Sequence, residues 1–134
     1  MVDTGVLLAA ADRSDPAHER CRDLLQSHLG PLITTELVLA ETGWLLDRQL
    51  GSTAEAALYR SVAEGELIVE HLSATDWTRV AELTERYSDQ HLGGVDAGLI
   101  AIAERLGVTV IATLDRRHFG VVRPSHIKVL TLVP

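Results

Sequence analysis

The sequence predicts an α/β fold, with a mainly parallel central sheet and helices on both of its faces. Three observations carry that reading. Short apolar runs rich in Val, Ile and Leu alternate with longer segments of helical period along the whole chain. Pro31, Gly51, Gly65 and Gly107 punctuate the joints between them. The length, 134 residues with 46% hydrophobic and 23% charged, suits one domain over residues 1–134 with a sizeable core. Strands separated by helices join through right-handed crossovers, which lay the strands parallel and cover the sheet twice.

The elements follow in order. Met1 to Asp3 reads as the end of a short strand, and Val6 to Ala11 as a short helix. Asp15-Pro16 has the form of an N-cap and first-turn proline, opening a helix to about Leu29. After Pro31, Leu32-Ile33-Thr34 is a short strand, and the next helix runs from Thr35 to Leu50 and stops at Gly51. Ser52-Thr53-Ala54-Glu55 has the capping-box pattern of a helix that ends near Gly65. Leu67 to His71 is a strand. Thr75 or Asp76 to Tyr87 is a helix, amphipathic through Trp77, Val80, Ala81, Leu83 and Tyr87. Asp96 to Leu106 is a helix ended by Gly107, Val108 to Thr113 a β-branched strand, and Val129 to Val133 the last strand.

Composition narrows the function. No apolar run approaches the roughly 20 residues that span a bilayer, and the N-terminus lacks a basic segment leading into a hydrophobic one. The lone Cys21 rules out an internal disulfide and a Cys-based zinc cluster. A soluble cytoplasmic protein is expected. The net charge is −7, and all basic residues except Lys128 are Arg. A protein that grips duplex DNA through its phosphates is usually basic, so no direct DNA binding is expected.

Four acids then stand out. Asp3 and Asp115 close predicted strands, and Asp96 opens a helix, where the positive dipole end favours a carboxylate. Glu41 is flanked at helical spacing by Leu37, Val38, Trp44 and Leu45, an apolar stripe in which an ionised acid is costly without a positive partner. In open α/β sheets ligands bind outside the carboxyl ends of the strands, which gives all four a common address. Oxygen ligands without Cys or spaced His suit Mg²⁺ or Mn²⁺ better than zinc.

The segments Val2-Asp3-Thr4-Gly5, Thr34 to Glu41, Gly94-Val95-Asp96-Ala97 and Ala112 to Phe119 resemble PIN domains, in that family's order and over essentially the whole chain. The likeness is greatest to the VapC-type toxins of bacterial toxin–antitoxin pairs. It implies a PIN-like three-layer sandwich and a Mg²⁺-dependent endoribonuclease, with Mn²⁺ an alternative, leaving 5′-phosphate and 3′-hydroxyl ends. By the same resemblance Asp3, Glu41, Asp96 and Asp115 form the catalytic cluster, with Asp3 and Asp96 the most direct metal ligands. Glu41 and Asp115 complete the site or orient the attacking water, and Thr113 hydrogen-bonds a carboxylate or ligand water. Thr113 and Arg116 are grouped as substrate contacts, and Arg117 as a further phosphate contact. A carboxylate-held metal can lower the pKa of bound water toward neutrality. The resemblance also implies an RNA substrate, a VapB-like antitoxin partner and a homodimer. Only Met1-Val2 precede Asp3, a shorter leading strand than such domains often have.

Plainer readings compete at each position. Asp3 and Asp96 could be helix caps, Glu41 the buried partner of an Arg, and Asp115-Arg116-Arg117 a solvated turn. Asp89 reads as an acid supporting the site or, equally, a helix-end or loop acid, His118 as a substrate contact or, more simply, a turn histidine, and Trp44 and Trp77 as core or dimer interface. Two other functions have this general shape. A phosphoacceptor receiver domain would want paired acids after its first strand and a lysine after its last-but-one, but Thr4-Gly5 follow Asp3 and the only lysine is Lys128. A haloacid-dehalogenase-type phosphatase would need an acid where Gly5 stands. A non-catalytic scaffold of the same fold would have no reason to keep all four acids.

Overall fold

The structure, a computed structural model, describes residues 1–134. Its frame is a parallel sheet. β1 (Leu32–Thr35) pairs with β2 (Leu67–Glu70), and β3 (Val110–Ala112) with β4 (Thr131–Val133), both in parallel register. The N-terminal residues join the two pairs. Val2 bridges Ala112 in parallel; its N donates to Ile33 O at 2.8 Å, and Asp3 N donates to Ala112 O at 2.9 Å. Thr34 Oγ1 donates to Val2 O at 2.8 Å from the other side. The spatial order is therefore β2, β1, residues 1–3, β3, β4. The chain starts in the middle, runs out to one edge and returns to fill the other. That reversal is the switch point at which open α/β sheets bind ligands.

Seven helices flank the sheet: α1 (Thr4–Ala11), α2 (His18–Ser27), α3 (Glu36–Leu50), α4 (Ser52–Ala63), α5 (Ala74–Arg86), α6 (Gly94–Leu106) and α7 (Arg116–Val121). Successive strand residues face opposite ways, and the cores obey that rule. Ile111 belongs to a cluster with Val80 and Leu83 of α5, Leu99 and Ile102 of α6, and Phe119 of α7. Its neighbour Ala112 packs instead with Val2, with Val6 and Ala9 of α1, and with Cys21 of α2. A third cluster, Leu46, Leu58 and Leu67, seats the α3–α4 pair on the outer strand. This is the expected three-layer arrangement.

Several element boundaries differ from the sequence reading. Asp15 opens a turn rather than a helix: its Oδ1 accepts from Ala17 N, and α2 begins only at His18. Ser52 is already helical behind the cap Gly51, so no capping box forms there; the box is at Ser73 and Asp76, which starts α5 at Ala74. The strand expected over Val108 to Thr113 shortens to Val110–Ala112. Trp44 and Trp77 are 56% and 46% exposed, so neither is core. Trp44 instead lies under the Arg48 guanidinium, 4.8 Å from the ring centroid.

Candidate active site

Each functional side chain is placed by the end of an element. Asp3 ends the central extended segment and caps α1, its Oδ1 accepting from Thr4 N at 2.7 Å. Asp115 follows β3 and caps α7, its Oδ1 accepting from His118 N at 2.9 Å. Asp96 lies in the first turn of α6, and Glu41 projects from α3. The two helices approach closely at Gly98, where a Cβ would meet Leu37 Cδ1 at 2.9 Å. That bare position lets α6 bring Asp96 toward the α3 face that carries Glu41.

The four sequence-distant acids all line one open cleft, together with Thr4, Gly5, Leu114, Arg116 and Arg117. Buried Thr113 ties two of them together: its Oγ1 donates to Asp3 Oδ2 at 2.8 Å and accepts from Asp115 N at 2.9 Å. It is fully buried, so it supports carboxylates and has no surface for a substrate, contrary to its grouping with the substrate contacts. Thr4 Oγ1 donates to Glu41 Oε2 at 2.6 Å and holds that acid toward the cleft.

Glu41 itself overturns the argument that singled it out. It is exposed, as are its neighbours Ala40 and Trp44, so it does not sit inside the apolar stripe of α3. Of the apolar residues around it, Trp44 is exposed and Leu37 and Leu45 are half-buried, while Val38 is buried in the core on the inner side of α3. Asp89 is exposed on the 3-10 turn Ser88–Gln90 and does not line the cleft. Arg116 lines it, although its guanidinium donates to Pro134 O at 2.7 Å, while Arg117 lines it with no bonded partner. Asp115-Arg116-Arg117 is a helix start and not a solvated turn.

His118 is the residue that sequence reasoning underweighted, preferring a turn histidine to a residue of the site. It is not in a turn: α7 carries its Nδ1 to 2.9 Å from Asp115 Oδ2 and 3.2 Å from Asp96 Oδ2. The signal was present, because a residue three places after an N-cap has its amide on the cap and its side chain near it. Asp96, Asp115 and His118 are also the residues whose ligand atoms cluster most tightly, all within 4.8 Å of one another. Of the expected ligand pair, Asp96 belongs to that group and Asp3 does not.

The electrostatics match this crowding. Burial pushes the Asp3 carboxyl above its ordinary range, and the Glu41 and Asp115 charges add to that, against the hydrogen bonds from Thr113 and Thr4. Asp96 is raised to about 6, first by burial and then by the Asp3 charge, with the His118 ring opposing. No arginine or lysine pairs with any of the four acids. Converging carboxylates short of positive charge, with a buried imidazole nitrogen that makes no hydrogen bond, are a donor set suited to a divalent cation.

The PIN-domain family model matches residues 1–123. The chain belongs to the PIN-domain family. This PIN domain is 32% identical over 134 residues to Ribonuclease VapC26 of Mycobacterium tuberculosis, covering 100% of this chain and 99% of that protein. It also superposes on the crystal structure of Mycobacterium tuberculosis VapC20, described as a sarcin–ricin loop cleaving toxin. The TM-score is 0.82, with 95% of this chain and 97% of the other covered at 24% identity. At that identity the second likeness bears on the fold. A receiver-like site is not formed in this PIN domain, because Lys128 lies in the segment before β4 and does not line the cleft.

Proposed function

We propose that the protein is a VapC-type toxin, an endoribonuclease that hydrolyses RNA phosphodiester bonds with the help of Mg²⁺ or Mn²⁺. The observation that carries the reading is the convergence of Asp3, Glu41, Asp96 and Asp115 from four separate elements on one open cleft. Relatedness to a protein named a ribonuclease over the full length of both chains supports the same conclusion. Asp3, Asp96 and Asp115 would hold the cation, and Glu41 would stand at the rim where water and substrate enter. When bound, the cation would supply Lewis-acid stabilisation of phosphodiester charge and a more acidic water.

The chain's own groups supply the rest. Thr113 fixes the Asp3 carboxylate and the Asp115 backbone, so two acids keep their aim without spending surface. Asp96, at about 6, is largely ionised at neutral pH even before a cation enters. Arg117 faces the cleft unpaired and would take an RNA phosphate. Charge segregation helps it. Every acid lies at or before Asp115, whereas residues 116–134 hold Arg116, Arg117, Arg123 and Lys128 and no acid. The negative total of the chain therefore does not describe the surface beside the cleft.

By its kinship we further assign residues 1–134 to one domain that acts in the cytoplasm as a homodimer and is neutralised by a VapB-like antitoxin. No helix is long and apolar enough to cross a membrane. The test is cleavage of purified transfer, ribosomal and messenger RNA with Mg²⁺, Mn²⁺ or chelator, followed by sequencing of the cut ends. Cleavage that needs the metal and leaves 5′-phosphates is expected. Activity that persists in chelator, or that survives Asp3→Asn, would overturn the proposal. Light scattering of the free toxin, and co-purification with the product of a short adjacent reading frame, check the assembly.

A further inference from the structure

We propose that His118 is a direct ligand of the divalent cation, its Nδ1 joining Asp96 and Asp115 in a mixed nitrogen–oxygen site. The proposal rests on the metal-dependent reading above and deepens it, but it concerns coordination and not cleavage.

His118 Nδ1 lies 2.9 Å from Asp115 Oδ2 and 3.2 Å from Asp96 Oδ2. The atom is shut off from solvent, yet it has no hydrogen-bond partner. An imidazole N–H bonds only along the ring plane, and neither oxygen is aligned for it. Short, unaligned contacts between three donor atoms are what neighbouring ligands of one ion show. Around an octahedral cation with ligands at ~2.1 Å, adjacent ligand atoms stand roughly 3.0 Å apart. Both separations bracket that edge.

The local backbone is built for the same end. Asp115 uses Oδ1 to cap α7 through His118 N, and this leaves Oδ2 facing the His118 ring. One carboxylate thus fixes the helix that delivers the imidazole and faces the imidazole itself. Thr113 Oγ1 in turn holds Asp115 N at 2.9 Å, so the pair is anchored to β3. A simple ion pair between an imidazolium and two carboxylates is the rival account, and it would favour aligned hydrogen bonds. Nitrogen ligation also has a chemical consequence: imidazole suits the later transition metals best, and Mn²⁺ accepts it more readily than Mg²⁺, which prefers oxygen throughout.

Pulsed electron paramagnetic resonance on the untagged, full-length protein loaded with Mn²⁺ decides between the two accounts. Modulation from a directly bound ¹⁴N is expected, and it should be replaced when histidine alone is ¹⁵N-labelled. His118→Gln should remove it, weaken Mn²⁺ binding by on the order of 10-fold or more, and leave Mg²⁺ binding within about threefold. The labelling result on the wild type stands even if the variant fails to fold. Bound Mn²⁺ without nitrogen coupling, with RNA cleavage intact, would overturn this inference alone. No Mn²⁺ binding would overturn it, and no Mg²⁺ binding either would overturn the metal-dependent reading with it.

Discussion

Helix α6 carries an acid near each end, and the protein treats the two in opposite ways. Near its C-terminus, Glu104 accepts from Arg79 Nε at 2.8 Å and Nη2 at 3.0 Å, and from Ser125 N at 2.8 Å. Burial works against that carboxyl, but Arg79 and Ser125 more than offset it and hold it below its ordinary range. Asp76 of the neighbouring helix is handled alike: burial is outweighed by the Ser73 hydrogen bonds and by Arg105 at 3.0 Å. Near the N-terminus, Asp96 meets three more acids and only a histidine, and it is raised to about 6. The same chain that can neutralise a buried acid with arginine pairs none with the acids of its cleft, although Arg116 and Arg117 line it. Unpaired acids destabilise the metal-free fold, so their persistence in one cleft marks a place reserved for something positive that the polypeptide does not provide.

The contrast is open to breakage, beginning with the largest effect. Asp96→Asn should lower RNA cleavage by more than the ~10–100-fold typical of losing an outer-shell partner, while raising the melting temperature of the metal-free protein at neutral pH. A fall in that temperature would show that Asp96 is a structural acid after all. Arg79→Ala is the mirror experiment. It should cost about 2–3 kcal/mol in urea unfolding, less than the ~3–5 kcal/mol for a wholly buried pair, because the Arg79 side chain is 23% exposed. Cleavage per folded molecule should not change. Equal losses of activity and stability in both variants would erase the distinction between the two ends of α6.

Thr113→Val tests how the cleft is held. Removing the hydroxyl leaves Asp3 Oδ2 and Asp115 N without their partner, and should cost roughly 1–3 kcal/mol and about 10–100-fold in cleavage. Thr113→Ser should restore most of both, which a simple packing role would not predict. The pH dependence carries a definite sign. The Asp96 pKa is raised from 3.8 to about 6 on folding, so below 3.8 it is protonated in both states and contributes no difference. As pH climbs from 3.8 to about 6 the unfolded chain gives up the proton while the folded state keeps it, so metal-free stability falls across that window, by on the order of 1 kcal/mol, and levels off above it. Asp96→Asn should flatten that slope, and added Mn²⁺ should stabilise the wild type more at pH 7.5 than at pH 5. The smallest effect is expected from Arg117→Ala. It should raise KM a few-fold and reduce the salt dependence of RNA binding by about one unit of slope, with kcat little changed.

The primary sequence alone determined the fold class, the order of its elements and the identity of the acids. Those follow from local rules: helical and strand periods, caps, and an apolar run ending in Asp115. Gly51 and Gly107 stop their helices where the sequence said they would. Where a rule needed knowledge of what packs outside the segment, it failed. Glu41 has apolar neighbours along its helix, but only the placement of α3 shows that Val38 turns into the core while Glu41 and Trp44 face outward. Met1 to Asp3 reads as the end of a short strand, but its place at the centre of the sheet follows only because β1 and β3 close on Val2 from either side. α7 is too short for its period to be read, so His118 passed for a turn residue until Asp115 was seen to cap the helix that carries it. Periodicity is a property of neighbours along the chain. The meeting of Asp3, Asp96, Asp115 and His118 depends on strand order and on a glycine-sized gap between α3 and α6, and only the tertiary structure could decide it.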